Sequence, residues 1–180
     1  TVIAFDHGVS MKILSSYKIS IRGASSVFDE TLRLYRNAVE FFIDVINHRW
    51  ETDFSSCRNQ NEAVRLAERL CHSTAKRPMV EFDFARHFYK FPSYLRRAAI
   101  AQAYGSVSSY WSRLNLWKAN PQGKEPGKPK AGHIFPALYR DNMYRRTGRE
   151  TARLKVFIRN TWDWIDIGLR KTDVDYIAKY

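Results

Sequence analysis

The stretch Tyr17-Lys-Ile-Ser-Ile-Arg22 decides how the fold is interpreted, because apolar and polar side chains alternate along it. A period of two predicts a strand with one buried face. The same alternation returns far along the chain in residues 153–159 and 162–169, with Asn160-Thr161 as the turn between them, and Tyr176-Ile177 is a further strand candidate. Short strands need partners, so we expect the early strand to pair with the late ones.

Three segments between these strands have the periodicity of helices. Apolar residues recur every three or four positions from Leu32 to Trp50, and a second amphipathic stretch covers residues 62–72. A third helix is predicted with Ser93 as its N-cap and an apolar face that extends to Leu114. The helices therefore form an insertion between the first strand and the others.

The order of these elements predicts an α+β fold and a division of the chain into five segments. Residues 1–10 are a leader or a displaced segment, 11–24 contain the first strand, 25–117 form the helical block, 118–132 are a basic linker and 133–180 supply the remaining strands. The linker assignment follows from composition, since three of the six prolines and three of the eight glycines lie in residues 118–132.

The positive charge is concentrated in one part of the chain. Residues 84–149 contain 13 Lys and Arg side chains and only two acidic ones, Glu125 and Asp141, which accounts for +11 of the formal net charge of +12. Segregated charge of this kind is typical of a surface that binds a polyanion, and nucleic acid is the first candidate. Twelve aromatic residues lie in the same stretch, and rings of this kind can stack on bases. The alternative is that most of the rings belong to a core and most of the cations are solvated.

The candidate contacts to nucleic acid combine basic and aromatic side chains. They are Tyr17, Lys18, Arg36, Lys90, Tyr94, Arg96, Arg97, Tyr104, Lys128, Lys130, Arg140, Arg145, Arg146 and Arg149. Arg96 and Arg97 would lie in the first turns of the third helix, where the helix dipole favours phosphate. Because Leu95, Ala99 and Ala103 set its apolar face, we expect Arg97 to point outward and Arg96 to lie at the margin.

Several classes of protein are disfavoured by what the sequence lacks. Two cysteines, Cys57 and Cys71, do not make a disulfide scaffold, so a reducing, cytoplasmic location is expected. No apolar run approaches about 20 residues, and we expect no membrane partner. No C-x-x-C, P-loop or nucleophile motif occurs, so no resident metal or cofactor and no complete catalytic set are predicted. Asp6, in an Asp-x-Gly sequence, is the one candidate for two-metal nuclease chemistry.

From Met11 onward the chain resembles the N-terminal half of TnpB-type proteins, the transposon-encoded relatives of type V CRISPR effectors. Residues 91–107 and 127–130 match the family, and the most specific part is Pro92-Ser-Tyr-Leu-Arg-Arg97 followed by Gly127-Lys-Pro129. The matches Tyr17-Lys-Ile-Ser-Ile, residues 31–45, Leu154-Lys-Val-Phe-Ile and Trp162-Asp-Trp-Ile are compatible with the family. The resemblance implies a small, OB-like wedge β-barrel with an inserted helical recognition lobe.

The resemblance also implies a function, namely the binding of guide RNA and target DNA by an RNA-guided DNA endonuclease. Sequence readout would be left to base pairing. Mg²⁺ is expected for the nuclease of the parent family, which would lie in a separate or missing domain. Two alternatives stay open: a standalone basic protein that binds RNA or single strands, and a small metal-dependent nuclease that uses Asp6.

Overall fold

The computed structural model describes residues 17–23 and 26–179. It has an α+β fold, as the order of elements predicts. The strands are β1 (Ile21–Arg22), β2 (Tyr144–Arg146), β3 (Thr151–Ile158) and β4 (Thr161–Leu169). The α-helices are α1 (Asp29–His48), α2 (Gln60–Cys71), α3 (Phe84–His87), α4 (Ser93–Ala119) and α5 (Lys171–Ile177), and short 3₁₀ turns occur at Ser26–Phe28 and Phe54–Ser56.

The helical block is built on α1 and α4, with α2 packed against α4. Tyr35, Phe42 and Ile46 face inward from α1, because residues three, four and seven positions apart lie on one face of a helix. The ring of Phe42 stacks on that of Phe84 with centroids 4.9 Å apart. Each large apolar side chain buried in this way contributes roughly 1.5–3 kcal/mol to folding. Leu95 continues the same core from α4.

The boundaries of the third predicted helix, α4, differ from the predictions at both ends. α4 begins at Ser93 with Pro92 at the N-cap position, and no side chain caps its first N–H groups. α4 ends at Ala119, two residues into the predicted linker of residues 118–132. At the other end of this segment, Ala131 is buried and its N–H donates to Oε1 of Glu40 at 2.7 Å. This hydrogen bond ties the end of the basic segment to α1.

The sheet has the order β1-β4-β3-β2, and all of its pairs are antiparallel. Ile21 lies opposite Leu169, so the first strand pairs with the last one, as the sequence predicts. The paired part of the first strand is only two residues long. β1 and β2 are the two edges, and the sheet is open rather than closed, so the described residues do not form the expected OB-like barrel.

The turn and the final segment correct two further predictions. The β3–β4 turn is Arg159-Asn160 rather than Asn160-Thr161, since Ile158 pairs with Thr161. The candidate strand at Tyr176-Ile177 is helix α5 instead. Its buried Val174 packs with Leu154 under the sheet, in a small second core. Because the backbone N–H and C=O groups of a helix bond each other, this segment can bury Val174 without pairing with a strand.

Candidate nucleic-acid interface

A groove between α2 and α4 collects arginines from three parts of the chain. A cavity of about 480 Å³ is lined by basic and polar side chains, namely Arg65, Glu68, Arg69, His72, Thr74, Arg77, Arg96 and Arg97. A neighbouring cavity of about 460 Å³ shares Arg65, Glu68 and Arg97 with it. We call the surface formed by these two cavities the arginine groove.

The local structure explains why these side chains converge. Arg65, Glu68 and Arg69 are spaced at i, i+3 and i+4 and therefore share one face of α2, and His72 follows as the residue that caps its C-terminal end. After α2, the backbones of Thr74 and Arg77 bond each other at 2.8 and 2.9 Å in a tight turn. Nη2 of Arg77 then donates to the carbonyl oxygens of Glu68 and His72, at 3.2 and 2.8 Å. This places a guanidinium over the C-terminal end of α2, where positive charge is favoured.

Among the residues that the structure describes, Glu68 is the only acidic side chain that lines the 480 Å³ cavity. Its Oε1 accepts from Nη2 of Arg96 at 3.3 Å and from Nε of Arg97 at 3.2 Å. Five arginines against one carboxylate leave four positive charges uncompensated in the groove. Burial lowers the pKa of His72, and the nearby positive charge of Arg96 lowers it further, so the imidazole favours the neutral form.

The burial of Arg96 corrects one of the predictions. The Arg96 side chain is only 9% exposed, whereas that of Arg97 is 53% exposed. Arg96 therefore does not lie at an open margin of α4 but forms part of the wall between α2 and α4. The charge is tolerated there because Glu68 pairs with it. Arg97 points outward as expected, although it also bonds Glu68.

Two tyrosines border the 460 Å³ cavity. Tyr94, in the first turn of α4, and Tyr139 have ring centroids 5.5 Å apart in a tilted arrangement. They are 38% and 43% exposed, so both rings present surface to the solvent. Exposed rings beside arginines are what stacked bases and their phosphates require. The structure thus brings the predicted Tyr94 and Arg97 together in one place.

The face of the sheet opposite the small second core carries a second basic and aromatic surface. The guanidinium carbon of Arg145 lies 4.7 Å from the centroid of the Trp164 ring. Lys155 is directly opposite Trp164, and Arg153 is opposite both Arg145 and Asp166, so these side chains share one face. Arg153 pairs with Asp166 at 3.1 Å, while Arg145 forms a cation–π contact instead.

The other predicted contacts are distributed over the surface. Lys18, Lys128 and Lys130 are exposed, and Tyr17 is exposed beside the Tyr176 ring. Lys90 lies 5.1 Å from the Tyr89 ring centroid. These residues do not line the arginine groove.

Several predicted cations are held by contacts within the protein. Arg36 is half-buried, donates to the carbonyl of Ile134 at 3.1 Å and lies against the Phe135 ring. Arg146 donates to the carbonyls of Gly148 and Arg149, Arg149 pairs with Asp175 at 2.7 Å, and Arg140 lies near Asp141.

Tyr104 is in a different environment from the exposed rings. Its hydroxyl donates to the carbonyl of Cys57, the ring packs near Trp50, and burial raises its pKa. Tyr104 therefore contributes to the packing of the helical block rather than to an open stacking surface.

Charge counting along the sequence missed three residues of the groove. Arg65, Arg69 and Arg77 lie outside residues 84–149, in a part of the chain whose charges nearly cancel. The i, i+4 spacing of Arg65 and Arg69 was the available signal, because it places both on one face of α2. In the same segment Glu81 pairs with Arg49 and Glu62 with Arg58, so these two carboxylates offset charges that do not line the groove, and the local balance of charge conceals a basic face.

Within residues 17–23 and 26–179, no three His, Cys, Asp or Glu side chains come together as a metal site would require. Asp173 accepts the N–H of Ser20 at 2.8 Å, and Asp175 pairs with Arg149. Burial raises the pKa of Cys57 and raises that of Cys71 to about 12, which leaves both thiols protonated at neutral pH. Asp6 lies outside the described residues, so its suggested role as a metal ligand stays a prediction.

Across the described part of the chain, none of the helices combines the length and the apolar character that crossing a membrane requires.

Comparison with known proteins identifies a family. The model of the Aq_aa04 family matches residues 15–158, which include the whole arginine groove. The chain is also similar to a curated relative, "Uncharacterized protein aq_aa04" of Aquifex aeolicus (strain VF5). The two are 30% identical over an alignment of 133 residues, and the match covers 68% of this chain and 74% of the relative. No solved structure matches the chain.

Proposed function

The chain belongs to the Aq_aa04 family, and we propose that it is an RNA-binding protein whose arginine groove holds the phosphate backbone. The observation that carries this proposal is the convergence of five arginines around the single carboxylate of Glu68. Cations held together in this way can contact neighbouring phosphates of one strand at the same time, and each phosphate that they neutralise releases condensed counterions.

The position of the groove supports the same function. Arg96 and Arg97 lie in the first two turns of α4, near the end of a 27-residue helix where the helix dipole also attracts anions. Neither Arg65 nor Arg69 forms an ion pair with a described residue, and both are exposed. Their guanidiniums are therefore available to phosphates and can bind them in the bidentate geometry that arginine favours.

The two aromatic features favour RNA with unpaired bases over a regular duplex. Tyr94 and Tyr139 stand at the edge of the groove, and Trp164 lies on the sheet beneath Arg145. Unpaired bases can stack on such rings, whereas the bases of a duplex are already stacked. We propose that the backbone lies along the groove and that neighbouring bases contact the rings.

A more specific form of this proposal is the guide-RNA and target-DNA binding part of a TnpB-like endonuclease. The pairing of β1 with β4 around the inserted helices supports it, since this is the order expected of a wedge domain with a recognition lobe. In that case cleavage and Mg²⁺ would belong to a separate nuclease domain, and the location would be cytoplasmic. The alternative is an RNA-binding protein that acts alone.

The test is a binding titration with a labelled structured RNA, followed by fluorescence anisotropy at several salt concentrations. Wild-type affinity should fall by orders of magnitude between about 50 and 200 mM salt. The variant Arg65→Ala/Arg69→Ala should bind about tenfold or more weakly, with a salt slope shallower by about two, because two phosphate contacts are lost.

The matched control is Arg86→Ala/Arg113→Ala, which removes the same charge from exposed positions away from the groove. It should bind nearly as tightly as the wild type. An equal loss in both double variants would show that only net charge matters and would contradict the groove assignment. A wild-type affinity that is insensitive to salt would contradict the proposed function.

A further inference from the structure

We propose that the 480 Å³ cavity of the arginine groove binds a terminal phosphate monoester of RNA. This inference rests on the proposed RNA-binding function and goes beyond it, since it specifies which part of the RNA enters the groove. Internal phosphates would follow the exposed rim, and a chain end would enter the cavity.

The first argument is charge. A phosphate monoester carries a charge of about −1.5 to −2 at pH 7, whereas an internal phosphodiester carries about −1. The cavity has four uncompensated arginine charges within about 480 Å³. Several cations around one small volume match the higher charge and the additional terminal oxygen of a monoester better than they match a single diester.

The second argument is access. The Arg96 side chain lines the cavity but is only 9% exposed. An internal phosphate has nucleotides on both sides, which keep it at the rim. A terminal phosphate has a nucleotide on one side only, so it can reach toward the wall that Arg96 forms.

The third argument is the supply of hydrogen-bond donors. Nη2 of Arg96 bonds Glu68, yet its buried Nε has no partner among the described residues, and the same holds for Nε of Arg77. Arginine has five N–H donors, so both guanidiniums keep unused capacity. Buried donors are normally satisfied, so an anion that displaces Glu68 and draws these guanidiniums toward the cavity would supply acceptors that the described residues do not.

The experiment compares three versions of one single-stranded RNA: with a 5′-phosphate, with a 3′-phosphate and with hydroxyl groups at both ends. Binding is measured in a buffer without phosphate or sulfate. One phosphorylated RNA should bind about tenfold or more tightly than the hydroxyl form, as expected for new charge-assisted hydrogen bonds. The identity of that RNA assigns the end that enters.

Two variants test whether the cavity is responsible. Arg69→Ala should remove most of the advantage of the phosphorylated RNA, while Arg113→Ala should keep it. Glu68→Gln removes the competing charge and should increase the advantage about threefold or more. Thermal unfolding of each variant shows whether the fold is intact, and the exposed position of Arg69 makes its variant informative even if Glu68→Gln is unstable.

The outcomes separate this inference from the proposed function. If all three RNAs bind equally and their affinity still falls with salt, the cavity does not recognise a terminal phosphate, and the proposed RNA-binding function is unaffected. Failure of all three to bind would overturn both. If inorganic phosphate binds to the protein alone while the RNAs do not differ, the cavity recognises the free ion and the terminal assignment is wrong.

Discussion

The side-chain oxygen of Thr31 accepts a hydrogen bond from the backbone N–H of Phe157 at 2.8 Å, and this contact joins α1 to β3. Thr31 is 5% exposed. β2 covers the edge of β3 only as far as Lys155, whose N–H donates to Met143. Thr31 therefore satisfies the next outward-facing N–H of that edge and fixes the helical block against the sheet.

Replacement of Thr31 by Val should destabilise the protein by about 1–3 kcal/mol, because it keeps the shape but leaves the N–H of Phe157 without its acceptor. Urea unfolding measures the change. Thr31→Ser is the matched control, since it retains the hydroxyl and loses only a methyl group. A Val variant as stable as the wild type would mean that the strand edge finds another acceptor.

Arg96 and Arg97 are neighbours in sequence, but their substitution should have different effects. Arg96→Ala removes a buried partner of Glu68 and should lower the free energy of unfolding by about 2 kcal/mol. Arg97→Ala affects a side chain that is 53% exposed, so the change should be about 0.5 kcal/mol or less. Chemical denaturation of both variants checks this difference. Equal stabilities would show that Arg96 is as dispensable for folding as Arg97.

Trp164 should contribute to RNA affinity without affecting its salt dependence. If a base stacks at this ring, Trp164→Ala should weaken binding to single-stranded RNA by about tenfold, within the range measured for base–aromatic stacking. The slope against salt should stay unchanged, because no phosphate contact is lost. Trp164→Phe keeps a ring and should lose much less. A steeper or shallower slope would indicate that the substitution acts through Arg145 instead.

The sequence was sufficient to predict features that depend on local periodicity. The apolar positions of α1 and the alternation in β3 predict both elements, and the alternation in residues 17–22 predicts a strand that pairs with β4. Such patterns are readable because a buried face repeats every 3.6 residues in a helix and every two in a strand. The strand candidate at Tyr176-Ile177 was too short to show a period, and this segment belongs to helix α5, whose Val174 is buried.

The sequence was insufficient for features that depend on contacts between distant segments. The pairing of Arg96 with Glu68, 28 positions earlier, decides that Arg96 is buried, and no local pattern encodes it. The groove likewise depends on how α2 packs against α4, which places Arg65 and Arg69 beside Arg97. The sheet is open because β1 and β2 lie at its two edges and do not pair with each other, and no local pattern encodes this arrangement.

The β3–β4 turn offers a test of the fold at two exposed residues. Arg159 and Asn160 form a two-residue loop and have φ angles of 49° and 58°. Positive φ at both positions is characteristic of a type I′ turn, for which Asn-Gly is the preferred sequence. Asn tolerates this conformation, but Arg is strained in it, because its Cβ lies close to the following carbonyl oxygen.

The variant Arg159→Asn/Asn160→Gly should therefore be more stable by about 1 kcal/mol, since it relieves a left-handed conformation that costs about 1–2 kcal/mol for an ordinary residue. Asn160→Val, which places a β-branched residue at positive φ, should be less stable by a similar amount. Thermal and urea unfolding measure both changes. If neither variant shifts the midpoint, the turn does not hold this conformation, and the register that pairs Ile158 with Thr161 is wrong. If both stabilities change as expected, the pairing of Ile158 with Thr161 is supported. The pairing of Lys155 with Trp164 follows from it, because the residues of β3 and β4 pair one by one away from the turn.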